Sequence, residues 1–249
     1  MIFLAYAIVA LVFAGLFSRE VIAPASRATC NRRWQILASA LNLAQAAAVI
    51  GVGAVLATLP GDAAIFDVGR RVDPFSAGLL TFLIASFIAY WWHRATHRFD
   101  LLWRVFHQMH HSPQRIEAHT AFFVHPLDAA AATLISGLVG YLLLGVDAAG
   151  VAVALVLAGV SNLLIHADIA TPAWWGWFLQ RPEMHRVHHQ RDHHADNYGL
   201  PLWDWLFGTL RIPTETVIHC GFDDDKAKRI HDMLLLRDVH AGSTSNARE

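Results

Sequence analysis

Five long apolar stretches divide this sequence, and each approaches the length at which a helix crosses a lipid bilayer. A helix rises about 1.5 Å per residue, so about 20 apolar residues span the membrane core. The chain is 55% hydrophobic and 16% charged, whereas soluble domains carry about 25% charged residues. The sequence therefore predicts an all-α integral membrane bundle with spans at Ile2–Phe17, Ile36–Leu59, Phe75–Trp92, Leu127–Leu144 and Val151–Ile165.

The last two stretches are short and are joined by a tight turn at residues 145–150. They are expected to form a hairpin that either crosses the membrane at a tilt or re-enters it from one side. The first stretch has no basic leader and no small-residue cleavage site, so we interpret it as a retained span and not as a signal peptide.

Histidines gather at the ends of the apolar stretches. His93 and His97 stand four residues apart, and HxxHH occurs twice, as His107, His110 and His111 and as His185, His188 and His189. Residues i, i+3 and i+4 share one face of a helix, so each cluster is predicted to present its imidazoles in one direction. His166 ends the fifth span, where an ionisable residue is costly and indicates a functional site.

These histidines have the composition of a metal site. Imidazole suits iron, zinc, copper and nickel, and eight or more ligands exceed what one ion accepts, which favours two ions close together. Cys30 and Cys220 provide neither a disulfide framework nor an iron–sulfur spacing. The net charge of −1 argues against a nucleic-acid surface.

Arginines predict the orientation of the spans. Four follow the first span (Arg19, Arg27, Arg32 and Arg33) and four follow the third (Arg94, Arg98, Arg104 and Arg115). Both loops are therefore predicted to be cytoplasmic, although Arg70 and Arg71 oppose this weakly. If the last two spans return as a hairpin, all three clusters reach the cytoplasmic side and form a histidine-rich helical cap.

The chain divides by composition into three parts. Residues 1–73 are predicted to hold the N-terminal transmembrane helices and a loop, 74–212 the catalytic domain, and 213–249 a cytoplasmic tail. The Ala-Gly-Ser-Thr-Ser-Asn segment near the end is predicted to be disordered.

Several motifs resemble the fatty acid hydroxylase/sterol desaturase superfamily of membrane di-iron enzymes. Its boxes HxxxH, HxxHH and a distant HxxHH match His93–His97, His107–His111 and His185–His189 in order and spacing. His125-Pro126-Leu127-Asp128 resembles its HPLE segment, and Asn197-Tyr198-Gly199 and Trp203–Thr209 resemble its closing NYG and WDxxFGT motifs. The resemblance covers roughly Leu79–Arg211 and is specific, because unrelated motifs agree in order.

The resemblance implies a membrane oxidoreductase that uses two iron ions, dioxygen and external electrons to hydroxylate or desaturate an unactivated C–H position of a lipid. Zinc can take the place of iron in purified samples, because it competes well for imidazole sites. Electrons are expected from a separate cytochrome, or a ferredoxin with its reductase, because the sequence has no heme or flavin signature. A bacterial inner membrane is the expected location, or the endoplasmic reticulum in a eukaryote.

The predicted metal ligands are His93, His97, His107, His110, His111, His166, His185, His188 and His189, with no catalytic residue separate from them. Asn162 departs from an HxxxH that some family hydroxylases carry. The resulting Asn-x-x-x-His resembles acyl-CoA desaturases, in which the Asn orders a metal-bound water, so that both reactions stay open. His119, His125, Asp168 and Asp196 are candidates to orient an imidazole by hydrogen bond.

Two aromatic segments, 174–178 and 202–207, are predicted to lie at the membrane interface, either admitting a lipid laterally or only anchoring the cap. Fatty acyl chain, sphingolipid, sterol, carotenoid and alkylglycerol all stay open as substrates. Two other functions are considered. A heme-binding electron carrier usually places its histidines within the spans and not as adjacent triplets, and a structural zinc protein usually has four ligands and often uses cysteine.

Overall fold

Five helices in this computed structural model are long and apolar enough to cross a membrane. The structure describes residues 1–26, 32–59, 64–215 and 217–241, and the regular elements within them are all helices. The long helices are α1 (Ile2–Ile22), α2 (Arg32–Leu56), α3 (Pro74–Arg98), α5 (Pro126–Gly137) with a π-helical continuation (Leu138–Leu143), and α6 (Ala148–His166). The predicted all-α membrane bundle is confirmed.

Shorter elements build the cap around the histidines. They are α4 (Asp100–Leu102), a π-helix (Trp103–His107), 3₁₀-helices at Ala118–Phe122 and Ala173–Trp177, α7 (Pro182–His188), α8 (Pro201–Leu206), α9 (Asp224–Ala227) and α10 (Ile230–Leu234). Arg27, Cys30, Pro60-Gly61, Asp62 and the predicted disordered end from Gly242 lie outside the described residues.

The long helices expose apolar side chains on the outside of the bundle. Phe3 is 85% exposed, Leu11 72% and Leu43 73%. Such a continuous apolar surface is unfavourable in water and matches the hydrocarbon of a bilayer.

Small residues let the helices approach one another. A Cβ atom on Gly78 would lie 2.5 Å from the carbonyl oxygen of Gly150, so α3 and α6 pack with their backbones close together. Gly159 of α6 faces Val9 of α1 in the same way. Close contact through small residues is typical of membrane helices, which gain little from the hydrophobic effect between spans.

One end of every long helix reaches the histidines. Glu20, near the end of α1, accepts a hydrogen bond from the backbone nitrogen of Ala118, and His125 caps the start of α5. At the other end, the hairpin of α5 and α6 is tied to the loop before α3, because Ile65 N donates to Leu142 O over 2.8 Å. The hairpin therefore runs beside α3 over most of its length and returns the chain to the side from which it left.

The C-terminal segment packs onto this layer, although the sequence predicts a tail there. Phe222, Met233 and Val239 are buried in one cluster with Trp103 and Met109. The segment is also held by main-chain bonds to Gln108, whose side-chain amide donates to Arg237 O over 2.8 Å and accepts from Val239 N. Residues up to 241 thus belong to the folded body, because their scattered apolar side chains find tertiary partners that composition does not reveal.

We predict that the histidine layer faces the cytoplasm, because arginines concentrate at that end of the spans. Single cysteines at the exposed positions Leu101 and Asp192 should react with a membrane-impermeant thiol reagent only from the cytoplasmic side. A cysteine at Val72, across the bundle, should react only from the opposite side. A Cys30→Ser background suffices, because Cys220 is 2% exposed. Labelling of Leu101 and Asp192 from opposite sides would contradict a single layer.

Candidate metal centre

The nine predicted ligands converge into two groups. His93, His97, His107, His111 and His188 form the five-histidine group, and His110, His166, His185 and His189 form the four-histidine group. Within each group the nearest ligand nitrogens all lie within 4.8 Å of one another. This spread is comparable to the about 4.2 Å between opposite nitrogens on one ion with bonds of about 2.1 Å.

Both HxxHH boxes contribute to both groups. His107 and His111 enter the five-histidine group while His110 enters the other, and His188 separates from His185 and His189 in the same way. The sequence predicts a shared helical face for each box, but the first box follows a π-helix, Trp103–His107, and continues as a turn. Because the boxes are shared, the two groups adjoin, with the rings of His111 and His189 stacked 4.2 Å apart.

Carbonyl and carboxylate oxygens fix the tautomers of four imidazoles. Nδ1 of His93 donates to Tyr198 O over 2.6 Å, and Nδ1 of His188 donates to Asp196 O over 2.7 Å. Nδ1 of His166 donates to Asn162 O over 2.8 Å. Nδ1 of His107 contacts Asp128 Oδ2 over 3.2 Å. An ionised or carbonyl oxygen only accepts, so the proton sits on Nδ1 and leaves Nε2 with its lone pair. This is the arrangement of a metal-ligating histidine.

The contact between His93 and His107 tests whether a metal fits. Their Nε2 atoms are 2.8 Å apart. Both rings have committed Nδ1 protons, so in the neutral state two lone pairs face each other. A cation between them removes this repulsion, and neighbouring nitrogens bound at about 2.1 Å around a six-coordinate ion are about 2.9 Å apart.

Several other ring nitrogens in the described part of the chain also lack a protein partner. They are Nε2 of His97, His111 and His188. In the four-histidine group, Nε2 of His166 faces Nε2 of His110 over 3.1 Å and Nε2 of His185 over 2.9 Å. Buried polar atoms nearly always have a partner, and a bound ion is one of the ordinary partners where the protein offers none. The residues therefore fit two bound transition-metal ions.

Burial keeps these imidazoles neutral. It lowers the pKa of His110, His111, His185, His188 and His189 well below the usual value, and neighbouring histidines lower it further. Only the neutral ring has a lone pair for a metal, so the environment selects the ligating form.

The structure gives three of the four predicted orienting residues other partners. His119 packs against Phe13 and Phe17 and contacts Ser39 Oγ through Nε2. His125 accepts from the backbone nitrogen of Leu127 as a helix cap. The partners of His119 come from distant parts of the chain, so the sequence carries no signal for them.

Asp168 holds an arginine instead of an imidazole. Its Oδ1 accepts from Arg186 over 2.7 Å and its other oxygen accepts from Ser26 Oγ. Arg186 lies on α7 between His185 and His188, so Asp168 anchors the helix and not the rings. Asp196 does contact a ligand, but through its backbone carbonyl, while its carboxylate pairs with Arg211.

Asn162 donates its side-chain amide to Ala121 O over 2.7 Å, linking α6 to the 3₁₀-helix. Its predicted contact with a metal-bound water stays a prediction. Its backbone carbonyl already has a role in the site, because it fixes the tautomer of His166.

Two further side chains contact predicted ligands, although they are not among the predicted orienting residues. Asp128 contacts His107, and it does occupy the acidic position of the family-like HPLE segment. His194, which belongs to no histidine box, contacts Nδ1 of His111 over 3.1 Å through its own Nδ1. Burial, with His240 nearby, lowers the pKa of His194 to about 3, so it is neutral. His193, beside it, is more exposed and pairs with Asp196.

The family model described as fatty acid hydroxylase matches residues 78–209, which is more than half of the chain and includes all nine predicted ligands. This chain belongs to the fatty acid hydroxylase family. The superfamily resemblance of the sequence motifs is therefore confirmed.

Three alkylglycerol monooxygenases are among the relatives. The Homo sapiens protein is 30% identical over 145 residues, covering 55% of this chain and 31% of that protein. The Xenopus tropicalis protein is 28% identical over 145 residues (56% and 32%), and the Danio rerio protein 30% identical over 147 residues (56% and 32%). The chain thus spans about a third of the length of these relatives. No solved structure matches it significantly.

We expect the purified protein to contain close to two equivalents of transition metal. Zinc counts equally with iron here, because it competes well for imidazole sites. His97→Ala in one group and His185→Ala in the other should each reduce the content toward one. His231→Ala, on the exposed face of α10, is the control and should retain both. A wild-type content near one would refute the dinuclear assignment.

We also expect Asp168→Ala to destabilise the fold. It leaves Arg186 buried without its carboxylate, which typically costs about 3–5 kcal/mol. The thermal unfolding midpoint in detergent should fall well below that of Asp192→Asn, a control that neutralises an exposed carboxylate and tolerates the positive φ of this position. Equal midpoints would show that the buried pair contributes nothing to stability.

Proposed function

We propose that this protein is a dioxygen-dependent membrane monooxygenase that hydroxylates a C–H position of a lipid. The observation that supports it most is the pair of adjoining all-histidine groups at one end of the membrane spans, inside a fatty acid hydroxylase domain. The proposed catalytic domain, 74–212, encloses the family match. The whole reaction converts C–H to C–OH, with the second oxygen atom of dioxygen leaving as water and with two electrons and two protons coming from outside.

The nine histidines would hold two iron ions, one in each group. When bound, the irons supply the activation of dioxygen that an unactivated C–H bond requires. The protein holds the imidazoles in their neutral, lone-pair form and excludes water. His111, His188 and His189 are fully buried, and Trp103 closes over His97 and His111 at ring distances of 5.2 Å. A dry site protects a reactive oxidant from side reactions.

The exposed aromatic segments 174–178 and 202–207, here called the aromatic ledge, are proposed to bind a lipid substrate. Trp177 is 66% exposed, Phe178 74% and Trp205 65%. The ledge rests on the membrane-crossing helix α3, where Trp203 donates to Ser86 Oγ over 2.9 Å. A lipid chain is therefore proposed to approach the histidine layer from the side, without passing through water.

The heme and zinc alternatives fit this geometry less well. Ring nitrogens 2.8–3.1 Å apart leave no gap for a porphyrin between two axial histidines. The four-histidine group alone suits a closed zinc site, but a second group of five beside it exceeds a structural requirement.

The relatives favour hydroxylation over desaturation and make alkylglycerols the first lipid class to test. Their name, alkylglycerol monooxygenase, describes oxygen insertion into an alkylglycerol. We further propose a bacterial inner membrane or endoplasmic reticulum location, with the site facing the cytoplasm. A separate cytochrome, or a ferredoxin with its reductase, would provide the electrons there.

Mass spectrometry of membrane lipids, from cells with and without the gene, tests this function. We expect products heavier by one oxygen atom, and none in His166→Ala, which removes a ligand of the four-histidine group. Lipids that instead lose two hydrogen atoms would show desaturation. Unchanged lipids, with alkylglycerols supplied, would contradict the proposal.

Asn162→Ala separates the two roles of that residue. If Asn162 orders a metal-bound water, the variant should retain metal and lose most turnover. Full turnover in the variant would make Asn162 a packing residue that holds Ala121.

A further inference from the structure

The loop between the third histidine box and α8 adopts a strained backbone. Asp192, His194, Asp196 and Asn197 all have positive φ angles, between 43° and 64°. Non-glycine residues rarely adopt this conformation, and several together persist only where the surrounding structure imposes them. The loop is therefore held in one shape by its contacts.

Two carbonyl groups of this loop reach ligands from different boxes. Asp196 O accepts from Nδ1 of His188, and Tyr198 O accepts from Nδ1 of His93. Both imidazoles belong to the five-histidine group. A shift of the loop would thus move two ligands of the same group at once.

Asn197, between these carbonyls, fixes the loop to the scaffold. Its side chain is fully buried, donates to Met184 O and Arg211 O over 2.9 Å each, and accepts from Arg211 N over 2.7 Å. Asparagine suits the position because it tolerates a positive φ and has two N–H donors beside an acceptor. Aspartate has the same shape but no donor.

Asp204 holds the other end of the loop. One carboxylate oxygen accepts from Tyr198 N over 2.8 Å and from Thr209 Oγ1 over 2.7 Å, and the other accepts from Gly199 N over 3.0 Å. The carboxyl is fully buried on the inner face of α8. Asp204 therefore holds the backbone nitrogen of Tyr198, while the carbonyl oxygen of Tyr198 accepts from His93.

We propose that residues 196–199 form a carbonyl bracket, and that Asn197 and Asp204 are positioning residues that set its shape for the metal of the five-histidine group. This inference rests on the proposed metal centre. It explains why the NYG and WDxxFGT motifs accompany the histidine boxes, since each contributes one anchor of the bracket. The four-histidine group does not depend on it in the same way, because His166 is fixed by Asn162 O within α6.

Titration of metal-free protein with Co²⁺ or Zn²⁺ tests the bracket without measuring turnover. Asn197→Asp and Asp204→Asn should bind one ion as wild type does and the second about 10–100-fold more weakly, the usual cost of losing a group that orients a ligand. The Co²⁺ absorption spectrum of both variants should resemble that of His97→Ala and differ from that of His185→Ala.

Asp192→Asn is the matched control. Asp192 lies on the same loop with a positive φ, but it is outside the bracket and its side chain is exposed, so this variant should bind both ions normally. If both anchor variants keep two ions at wild-type affinity, the bracket is refuted. Loss of both ions in parallel would also refute it, because the effect would then be on the whole fold.

Thr209 provides a milder test should the anchor variants fail to fold. Thr209→Val removes one donor to Asp204 and should weaken the same ion, while Thr209→Ser should restore it. An unaffected Thr209→Val, with the anchor variants unfolded, would refute a positioning role. A wild-type protein that binds fewer than two ions would refute the metal centre itself, and not the bracket alone.

Discussion

The two facing lone pairs of His93 and His107 are the constraint around which the rest of the fold is arranged. Neutral imidazoles whose nitrogens lie 2.8 Å apart have no proton to share once Asp128 and Tyr198 O have fixed the other nitrogen of each ring. Such a contact is unfavourable by itself, and the seven other imidazoles of the two groups lie around it. The surroundings must therefore hold the rings rigidly until a cation compensates the repulsion.

Rigidity comes from the ends of the membrane spans and from buried polar anchors. α3 and α6 pack closely through Gly78, which holds the helices that carry His97 and His166 side by side. Asp168 fixes α7 through Arg186, and Gln108 ties the C-terminal segment to the second box. Asp168 and Gln108 are buried in the cap, where water cannot compete for their hydrogen bonds.

Spacing predicts the spans and the nine histidines that the structure brings together, since both depend on local periodicity and on residue type. It does not predict how these histidines divide, because each HxxHH box lies between the two groups and contributes to both, whether it follows a π-helix or ends α7. Nor did it find the carbonyls of Asp196 and Tyr198, because every residue has a carbonyl and only tertiary structure selects one. The pairing of Asp168 with Arg186, in place of the expected imidazole, also depends on tertiary structure. Asp128 differs from these cases, because its acidic position in the HPLE-like segment is a sequence signal for its contact with His107.

The order of the ligands along the chain also governs how the protein is made. The five-histidine group joins His93 to His188 across an intervening hairpin, so neither group can close until that hairpin has entered the membrane and the third box has been synthesised. The segment after residue 222 then packs against Trp103 and buries the layer further. Metal loading is thereby confined to the interval between membrane insertion and this last docking step, or to later local opening of the cap.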